Sequence, residues 1–125
     1  MLMDFNLIAR KTLGIKTSLT IDDMKKITRI WHGTTKAEHA DEYLKYVEET
    51  GMKEYRMVKG NLSAKLLRRI EASICHFLTV TEWDSYDSIK KFAGEDYQRA
   101  KYYPGDKKFL LSFEEFVAHY ETYEY

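Results

Sequence analysis

Alternating apolar and polar positions, rich in β-forming residues, mark four segments of the chain and predict a strand in each. These segments are residues 27–33, 62–70, 73–83 and 113–125. The third segment is apolar at both odd and even positions, which is typical of a strand that is covered on both faces. We therefore expect it to lie in the middle of a sheet.

Helical spacing separates the first two strand segments. Apolar residues fall at i, i+3, i+4 and i+7 in Ala40, Tyr43, Leu44 and Val47. This spacing predicts an amphipathic helix that ends near Gly51 and continues as an irregular turn.

Cap and breaker residues follow the third strand segment. Asp84 or Ser85 is predicted to cap a helix that stops at Gly94, and Asp96 to cap a second short helix. Residues 106–112 are predicted to form a helical turn before the last strand.

The resulting element order is β-α-β-β-α-β, which is typical of a ferredoxin-like α+β domain with helices on one face of an antiparallel sheet. We also expect strands one and three to be parallel neighbours, so that their carboxyl ends meet. One layer of helices cannot cover Phe77, Leu78, Val80 and Trp83 together, so the other sheet face is apolar as well. An uncovered apolar face implies a partner, and two stacked sheets predict a homodimer with a barrel-like interior.

Residues 1–23 differ from the rest, with apolar residues at near-helical spacing and then a polar connector before Met24. Two interpretations stay open for this segment. It is either a weakly attached upstream extension or an arm that packs over a partner subunit. The ferredoxin-like domain is assigned to residues 24–125.

The composition argues against several classes of protein. Lys and Arg number 20 and Asp and Glu number 20, whereas nucleic-acid-binding and membrane-surface proteins carry a basic excess. The one cysteine, Cys75, excludes an intrachain disulfide. No apolar run approaches the ~20 residues that cross a bilayer. The first residues do not read as a secretory signal, so we expect a cytoplasmic protein.

Aromatic and basic residues at the ends of the predicted strands are the first candidates for chemistry. Trp31, His32 and Trp83 end strands one and three, and strand four brings His119 towards the same end, so we expect one shared mouth. Such a mouth fits a flat polycyclic ligand, although the tryptophans alternatively pack in the core or at a dimer interface. His119 is either a general base or a structural histidine bonded across the sheet.

Arginine and tyrosine side chains supply further candidates for substrate binding. Arg29 shares the strand face of Trp31 and is a better candidate for binding a carboxylate or phenolate than Arg68 or Arg69. Tyr103, in the Tyr-Tyr-Pro turn, either offers its phenol to a quinone oxygen or closes an edge of the core.

Histidine placement and the absence of known motifs limit the remaining chemistry. We expect His32 and His76 at opposite ends of parallel strands, apart from His119, and therefore predict no metal site. No phosphate-binding loop, dinucleotide fingerprint or nucleophile-elbow motif occurs in the sequence.

The segment FLTVTEWDSYDSIKKFAGEDYQRAKYYPGDKKFL (77–110), followed by VAHYE (117–121), resembles the antibiotic biosynthesis monooxygenase family of the dimeric α/β-barrel superfamily. KITRIWHG (26–33) and GNLSAKLLRR (60–69) fit the same pattern, so the resemblance covers about residues 24–125. The combination of FAGEDY, YYP and HYE is typical of one branch of that family.

The resemblance implies a homodimer and a cofactor-independent monooxygenase-like activity on a small aromatic or phenolic compound. Haem-degrading relatives place a Trp, a His and an Asn where this chain has Phe92, Tyr102 and Arg29. No histidine occurs between residues 84 and 118 to bind haem iron, so we expect no cofactor. The alternatives are a non-catalytic small-molecule-binding or stress-related domain and a purely structural dimerisation module.

Overall fold

A computed structural model describes residues 25–125, so the predicted extension at 1–23 lies outside the described residues. Within that range the five strands β1–β5 are Lys26–Lys36, Asn61–Glu71, Ile74–Trp83, Leu110–Phe113 and Ala118–Thr122. The four α-helices α1–α4 are Ala40–Val47, Lys53–Met57, Tyr86–Ala93 and Asp106–Phe109. A 3-10 turn (Ala37–His39) precedes α1, and a π-helical turn (Glu48–Met52) joins α1 to α2. None of these helices has the length and apolar character that crossing a bilayer requires.

The strands form one antiparallel sheet in the order β2-β3-β1-β4, and β5 also pairs with β1. This arrangement confirms the predicted ferredoxin-like α+β fold. The prediction that strands one and three are parallel is wrong, because β1 pairs antiparallel with β3 and Ile27 lies opposite Trp83. The crossover through α1 and α2 sets β2 parallel to β1, and the β2–β3 hairpin then reverses β3 and inserts it between them.

One face of the sheet packs against the helices. Cys75, Phe77 and Trp83 alternate along β3 on this face and are fully buried. Phe77 packs with Tyr43 of α1, while Trp83 packs with Phe92 of α3. Two buried clusters, one under each helical region, therefore form the core.

The opposite, open face of the sheet carries the other half of each strand's side chains. Along β3 this face holds Leu78 and Val80, which are only partly buried. Ile30 lies opposite Val80, and Leu67 lies opposite Leu78 and is 46% exposed. These positions agree with the prediction that one layer of helices cannot cover both faces of β3.

Three predicted elements near the end of the chain differ from the structure. No helix begins at Asp96, the predicted helical turn over 106–112 ends at Phe109 where β4 follows, and the predicted strand over 113–125 is shortened to β5. For the first and last of these the reason is backbone pairing between the two segments: Ala100 N–H donates to Glu115 and Val117 N–H donates to Gln98. Arg99 N–H donates to the Asp96 carbonyl oxygen, so the chain forms one turn there, but the pairing of residues 98 and 100 with residues 115 and 117 prevents a longer helix and keeps residues 114–117 out of the pairing with β1.

The turns at both ends of α3 follow the sequence signals. Ser85 Oγ accepts a bond from Ser88 N–H at 3.1 Å, so Ser85 is the cap. Gly94 ends the helix with φ of 88°, a left-handed value that glycine adopts without strain.

Candidate functional site

Arg29 lies in the middle of β1, on the sheet face that packs against the helices, and is only 2% exposed. Its Nη1 donates to the carbonyl oxygen of Tyr97 at 2.6 Å, and its Nη2 donates to that of Arg99 at 3.2 Å. The irregular segment after α3 therefore holds the guanidinium by its backbone. The sequence predicts this face for Arg29 from its alternation with Trp31.

The charge of Arg29 has no acidic counterpart among residues 25–125. Its hydrogen bonds go to carbonyl oxygens and to a histidine, and its Nε–H has no protein hydrogen-bond partner within residues 25–125. Burial lowers the pKa of Arg29 from its ordinary value, and the nearby Tyr55 phenol opposes that shift. An arginine keeps its proton even so, so this site is a buried cation with a donor that these residues leave unpaired.

His119 lies directly opposite Arg29 on β5, and the nitrogen–nitrogen distance from its Nε2 to Arg29 Nη1 is 3.0 Å. Since the guanidinium can only donate, Nε2 accepts and the imidazole is neutral. Burial, and then the charge of Arg29, lower the pKa of His119 to about 4. Its ring also contacts Tyr86 and Tyr97, with centroids 5.9 and 5.3 Å away.

A cavity of about 30 Å³ lies between the sheet and the helices, beside Arg29. That volume holds about one water molecule. The cavity is bounded by β1, β3, the α1–α2 region and residues 101–106, and its aromatic and polar lining comprises Trp31, Tyr43, Tyr55, Thr79, Lys101, Tyr102, Tyr103 and Asp106.

One wall of the cavity is Trp31, whose indole is held in a defined position. Its Nε1–H donates to the Tyr102 hydroxyl at 2.9 Å, and that hydroxyl donates to the Glu114 carbonyl oxygen. The ring also lies over Gly33, where an added Cβ would come within 2.5 Å of two ring atoms. A small residue two positions along the same strand face therefore makes room for the indole.

The π-helical turn supplies a second wall through Thr50 and Gly51. Thr50 Oγ1 donates to the Tyr46 carbonyl oxygen at 2.7 Å, which satisfies an acceptor near the widened turn. Such turns are frequent at functional sites because they displace side chains from regular helical spacing.

Tyr103, Glu54 and Lys101 close the cavity on the side of α2. Lys101 Nζ is 2.7 Å from Glu54 Oε2, and the Tyr103 hydroxyl donates to the other carboxylate oxygen. Burial acts to raise the pKa of Glu54, but the bonds from Lys101 and Tyr103 outweigh it and the pKa is lowered. The carboxylate therefore stays ionised and holds both side chains over the cavity.

The structure brings together only part of the predicted mouth. Arg29, Trp31 and Tyr103 line the cavity, and His119 reaches it only through Arg29. Trp83 does not join them, because it is fully buried among α3 residues and donates its Nε1–H to Thr81. His32 does not join them either, because it lies on the open face of the sheet. The error on Trp83 follows from the wrong strand direction, which moves Trp83 four pairs away from Trp31. The error on His32 follows from alternation, because consecutive residues of a strand point to opposite faces.

Sequence reasoning missed Tyr55, Thr79 and Asp106 as lining residues. Asp106 is buried and accepts from the Tyr43 hydroxyl at 2.8 Å and from Tyr103 N–H at 2.6 Å. The signal available for Asp106 is its place right after the Pro-Gly pair, where a carboxylate caps a turn. Tyr55 and Thr79 carry no such signal, because their positions depend on the π-helical turn and on the strand register.

Comparison with solved structures gives the same fold. A protein from Bacillus cereus, provisionally assigned as an antibiotic biosynthesis monooxygenase, matches with a TM-score of 0.56 and 10% identity over 81% of this chain and 96% of its own. A conserved protein from Methanosarcina mazei matches with a TM-score of 0.58 and 16% identity over 82% and 97% of the two chains. A monooxygenase from Streptomyces coelicolor, solved with the ligand nanaomycin D, matches with a TM-score of 0.52 and 11% identity over 82% and 91%.

These similarities establish the fold. The chain has the architecture of antibiotic biosynthesis monooxygenase-type proteins, which confirms the structural resemblance that the sequence predicts. No protein family and no curated protein sequence matches this chain. Because a fold hosts many activities, the fold alone assigns no function to the chain.

Proposed function

We propose that this chain is a cofactor-independent monooxygenase-like protein that binds a small phenolic compound beside Arg29. The observation that supports the proposal best is the buried guanidinium, whose Nε–H has no protein partner within residues 25–125, next to a cavity lined by aromatic side chains. A buried cation without an acidic partner stabilises an anionic oxygen far more than an exposed one does. The phenolate form of a substrate is such an anion, and aromatic walls favour its ring.

The reaction begins with removal of the phenolic proton. The phenolate then gives one electron to O₂, and the phenoxyl radical and superoxide combine to form a bond between a ring carbon and oxygen. Loss of water from the resulting hydroperoxide leaves a carbonyl. For phenol itself the balance is C₆H₆O plus O₂ giving C₆H₄O₂ plus H₂O, so no external reductant is consumed. The protein contributes deprotonation, orientation and exclusion of water.

His119 is the proposed proton acceptor, acting when the substrate oxygen takes over the Arg29 Nη1–H bond. In the ligand-free protein that bond occupies the imidazole lone pair. Once Arg29 turns to the substrate, Nε2 is free, and the negative charge of the phenolate offsets the charge that lowers the pKa of His119. The proton returns to the oxygen that leaves as water.

Substrate binding requires the cavity to enlarge, since about 30 Å³ holds no aromatic ring. The proposed route is displacement of Tyr103 and Lys101, which are held together by Glu54. Both belong to the irregular segment between α3 and α4, whose movement does not break the sheet.

Oxygen consumption with a panel of naphthols, anthrones and hydroquinones tests the proposal. We expect at least one of them to be consumed with O₂, and Arg29→Lys to lower kcat/KM at least tenfold, because lysine keeps the charge but lacks the Nε–H. His119→Gln keeps an acceptor for Arg29 and removes the base, so we expect it to lower kcat with little change in binding. The matched control is His39→Gln, a partly exposed histidine that does not line the cavity, for which wild-type rates are expected.

Separate binding measurements, by quenching of Trp31 fluorescence in a Trp83→Phe background, distinguish the alternatives. Binding without oxygen consumption would favour the non-catalytic binding domain. Neither binding nor consumption with any phenol would contradict the proposal.

We also propose that a second copy of the chain covers the open face of the sheet. Its centre carries the apolar side chains Leu67, Leu78, Ile30 and Val80, with His32 in the same row as Leu78, while the charged side chains of Lys65 and Glu82 lie at the margins. A face with an apolar centre and both signs of charge around it is self-complementary, as an isologous dimer requires.

A further inference from the structure

His32 and His76 form a close pair on the open face of the sheet, on the opposite side from Arg29. They lie on neighbouring strands in diagonal positions, since His76 is opposite Thr34 and His32 is opposite Leu78. Diagonal neighbours on one sheet face are within reach of each other's long side chains. The distance from His32 Nε2 to His76 Nδ1 is 3.1 Å. The prediction that these two histidines lie apart is therefore wrong, and the reason is again the antiparallel direction of β3.

The two imidazoles meet edge to edge. Their planes are inclined by 9° and their centroids are 5.3 Å apart. Because the centroid separation exceeds the nitrogen–nitrogen distance by about two ring radii, the two nitrogens face each other and the rings do not overlap. One proton lies between them, so at least one imidazole is neutral at that nitrogen.

Glu71 decides which nitrogen of His76 is free. Its Oε1 lies 3.3 Å from His76 Nε2, on the far side of the ring from His32. A carboxylate only accepts, so Nε2 carries the proton and Nδ1 of neutral His76 keeps its lone pair towards His32. A carboxylate behind an imidazole in this way is the usual outer partner of a metal-binding histidine, which it orients and makes more basic.

We propose that His32 Nε2 and His76 Nδ1 form a two-histidine binding site for a late first-row divalent metal ion, with Cu²⁺ the preferred ion. Two nitrogens bound to one ion at about 2.0–2.1 Å, with a bond angle between square and tetrahedral values, lie about 2.9–3.4 Å apart. The observed 3.1 Å falls in that interval. The nitrogen–nitrogen distance therefore need not change; the rings pivot so that both lone pairs meet at the ion.

Binding of the ion requires one change of tautomer. His32 moves its proton from Nε2 to Nδ1, and His76 already presents a bare Nδ1. In the single chain both side chains are partly exposed on the open face, and water, or a donor group of the second copy proposed to cover this face, completes the coordination. No group of three or more His, Cys, Asp or Glu side chains within residues 25–125 surrounds a metal-sized site, and the proposed site is accordingly a two-ligand chelate. It does not depend on the proposed oxygenase activity, because the two sites lie on opposite faces of the sheet.

Calorimetric titration of the whole chain with Cu²⁺, Ni²⁺, Zn²⁺ and Mn²⁺ salts tests the site. We expect Cu²⁺ to bind tightest, Ni²⁺ and Zn²⁺ more weakly, and Mn²⁺ not measurably, which is the order for imidazole ligands. His32→Gln and His76→Gln should each weaken Cu²⁺ binding at least tenfold. Glu71→Gln should weaken it about tenfold while leaving both ligands in place. His39→Gln is the matched control and should bind Cu²⁺ as the wild type does.

A second measurement avoids any variant that fails to fold. Cu²⁺ is paramagnetic, so one equivalent added to the wild type should broaden the NMR signals of His32 and His76 and spare those of His39. Equal binding by wild type, His32→Gln and His76→Gln would overturn the proposal. Selective broadening elsewhere in the chain would overturn it as well.

Discussion

Arg29 occupies a strand position between two apolar side chains, Ile27 and Trp31, on the buried face of β1. A charge placed there costs several kcal/mol unless something compensates it. Backbone carbonyls and a neutral imidazole supply part of that compensation, and no carboxylate of the described chain supplies the rest. Because this buried charge costs stability, its place in the strand is better explained by binding of an anionic ligand to Arg29. The proposed site rests on that reasoning.

His119 gives a prediction about stability and pH. Its pKa in the folded chain is about 4, below the ordinary value of 6.5, so the unfolded chain takes up a proton first as the pH falls. The stabilisation of the folded chain that comes from keeping His119 neutral is fully present above pH 6.5 and is lost between about pH 6.5 and 4. Its size is at most about 3 kcal/mol in the free energy of unfolding. Denaturant unfolding at a series of pH values should show this loss in the wild type.

The control for that measurement is His119→Gln, which accepts a bond from Arg29 but does not titrate. Its free energy of unfolding should change less than that of the wild type across the same interval. Identical pH profiles for the two proteins would show that His119 is not the group responsible.

At the scale of elements, most of the sheet and the two longer helical regions follow from the sequence, whereas residues 95–105 and 110–117 do not. Local signals such as the Ser85 cap and the Gly94 stop act over a few residues and are present in the structure. The segment around Arg99 is different, because its backbone pairs with residues near Phe116. Long-range pairing of this kind leaves no periodic pattern, so the sequence predicts a helix where the chain instead forms an irregular segment that holds Arg29.

Two glycines with positive φ give a prediction about the joints between elements. Gly60, between α2 and β2, has φ of 100°, and an added Cβ would collide with Ser88; Gly94 has φ of 88° and open space around it. Gly94→Ala should therefore lower the free energy of unfolding by about 1–3 kcal/mol through backbone strain alone. Gly60→Ala suffers the same strain and the collision, and should be the more destabilising. Chemical denaturation of both variants measures the difference, and equal losses would contradict the packing at Gly60.

At the scale of the whole molecule, the sheet separates two groups of candidate functional residues. Arg29, Trp31 and the aromatic cavity lie on the helix side, and His32 and His76 lie on the open side. The sequence predicts which residues share a face, because alternation along a strand has a fixed period of two. It does not predict which residues of different strands meet, because that depends on strand direction and register. This is why Arg29 and Trp31 are correctly grouped and Trp83 is not.

The proposed dimer gives a prediction at the same scale. Leu78→Lys places a charge in the apolar centre of the open face, so we expect it to shift the chain from dimer to monomer in sedimentation experiments at micromolar concentration. Met57→Lys is the control, since Met57 is 75% exposed in α2 on the helix side, and its sedimentation should match the wild type. A monomeric wild type, or a Leu78→Lys variant that remains dimeric, would contradict the proposed contact.

The Arg29 guanidinium, which has no carboxylate partner within residues 25–125, also affects which small molecules copurify with the protein. Once the cavity opens, a buried guanidinium without an ion-pair partner favours small acidic metabolites that the host cell holds in abundance. We expect preparations from different expression hosts to carry different bound small molecules beside Arg29. Native mass spectra recorded before and after extensive dialysis would reveal them as small, host-dependent mass increments that Arg29→Lys reduces.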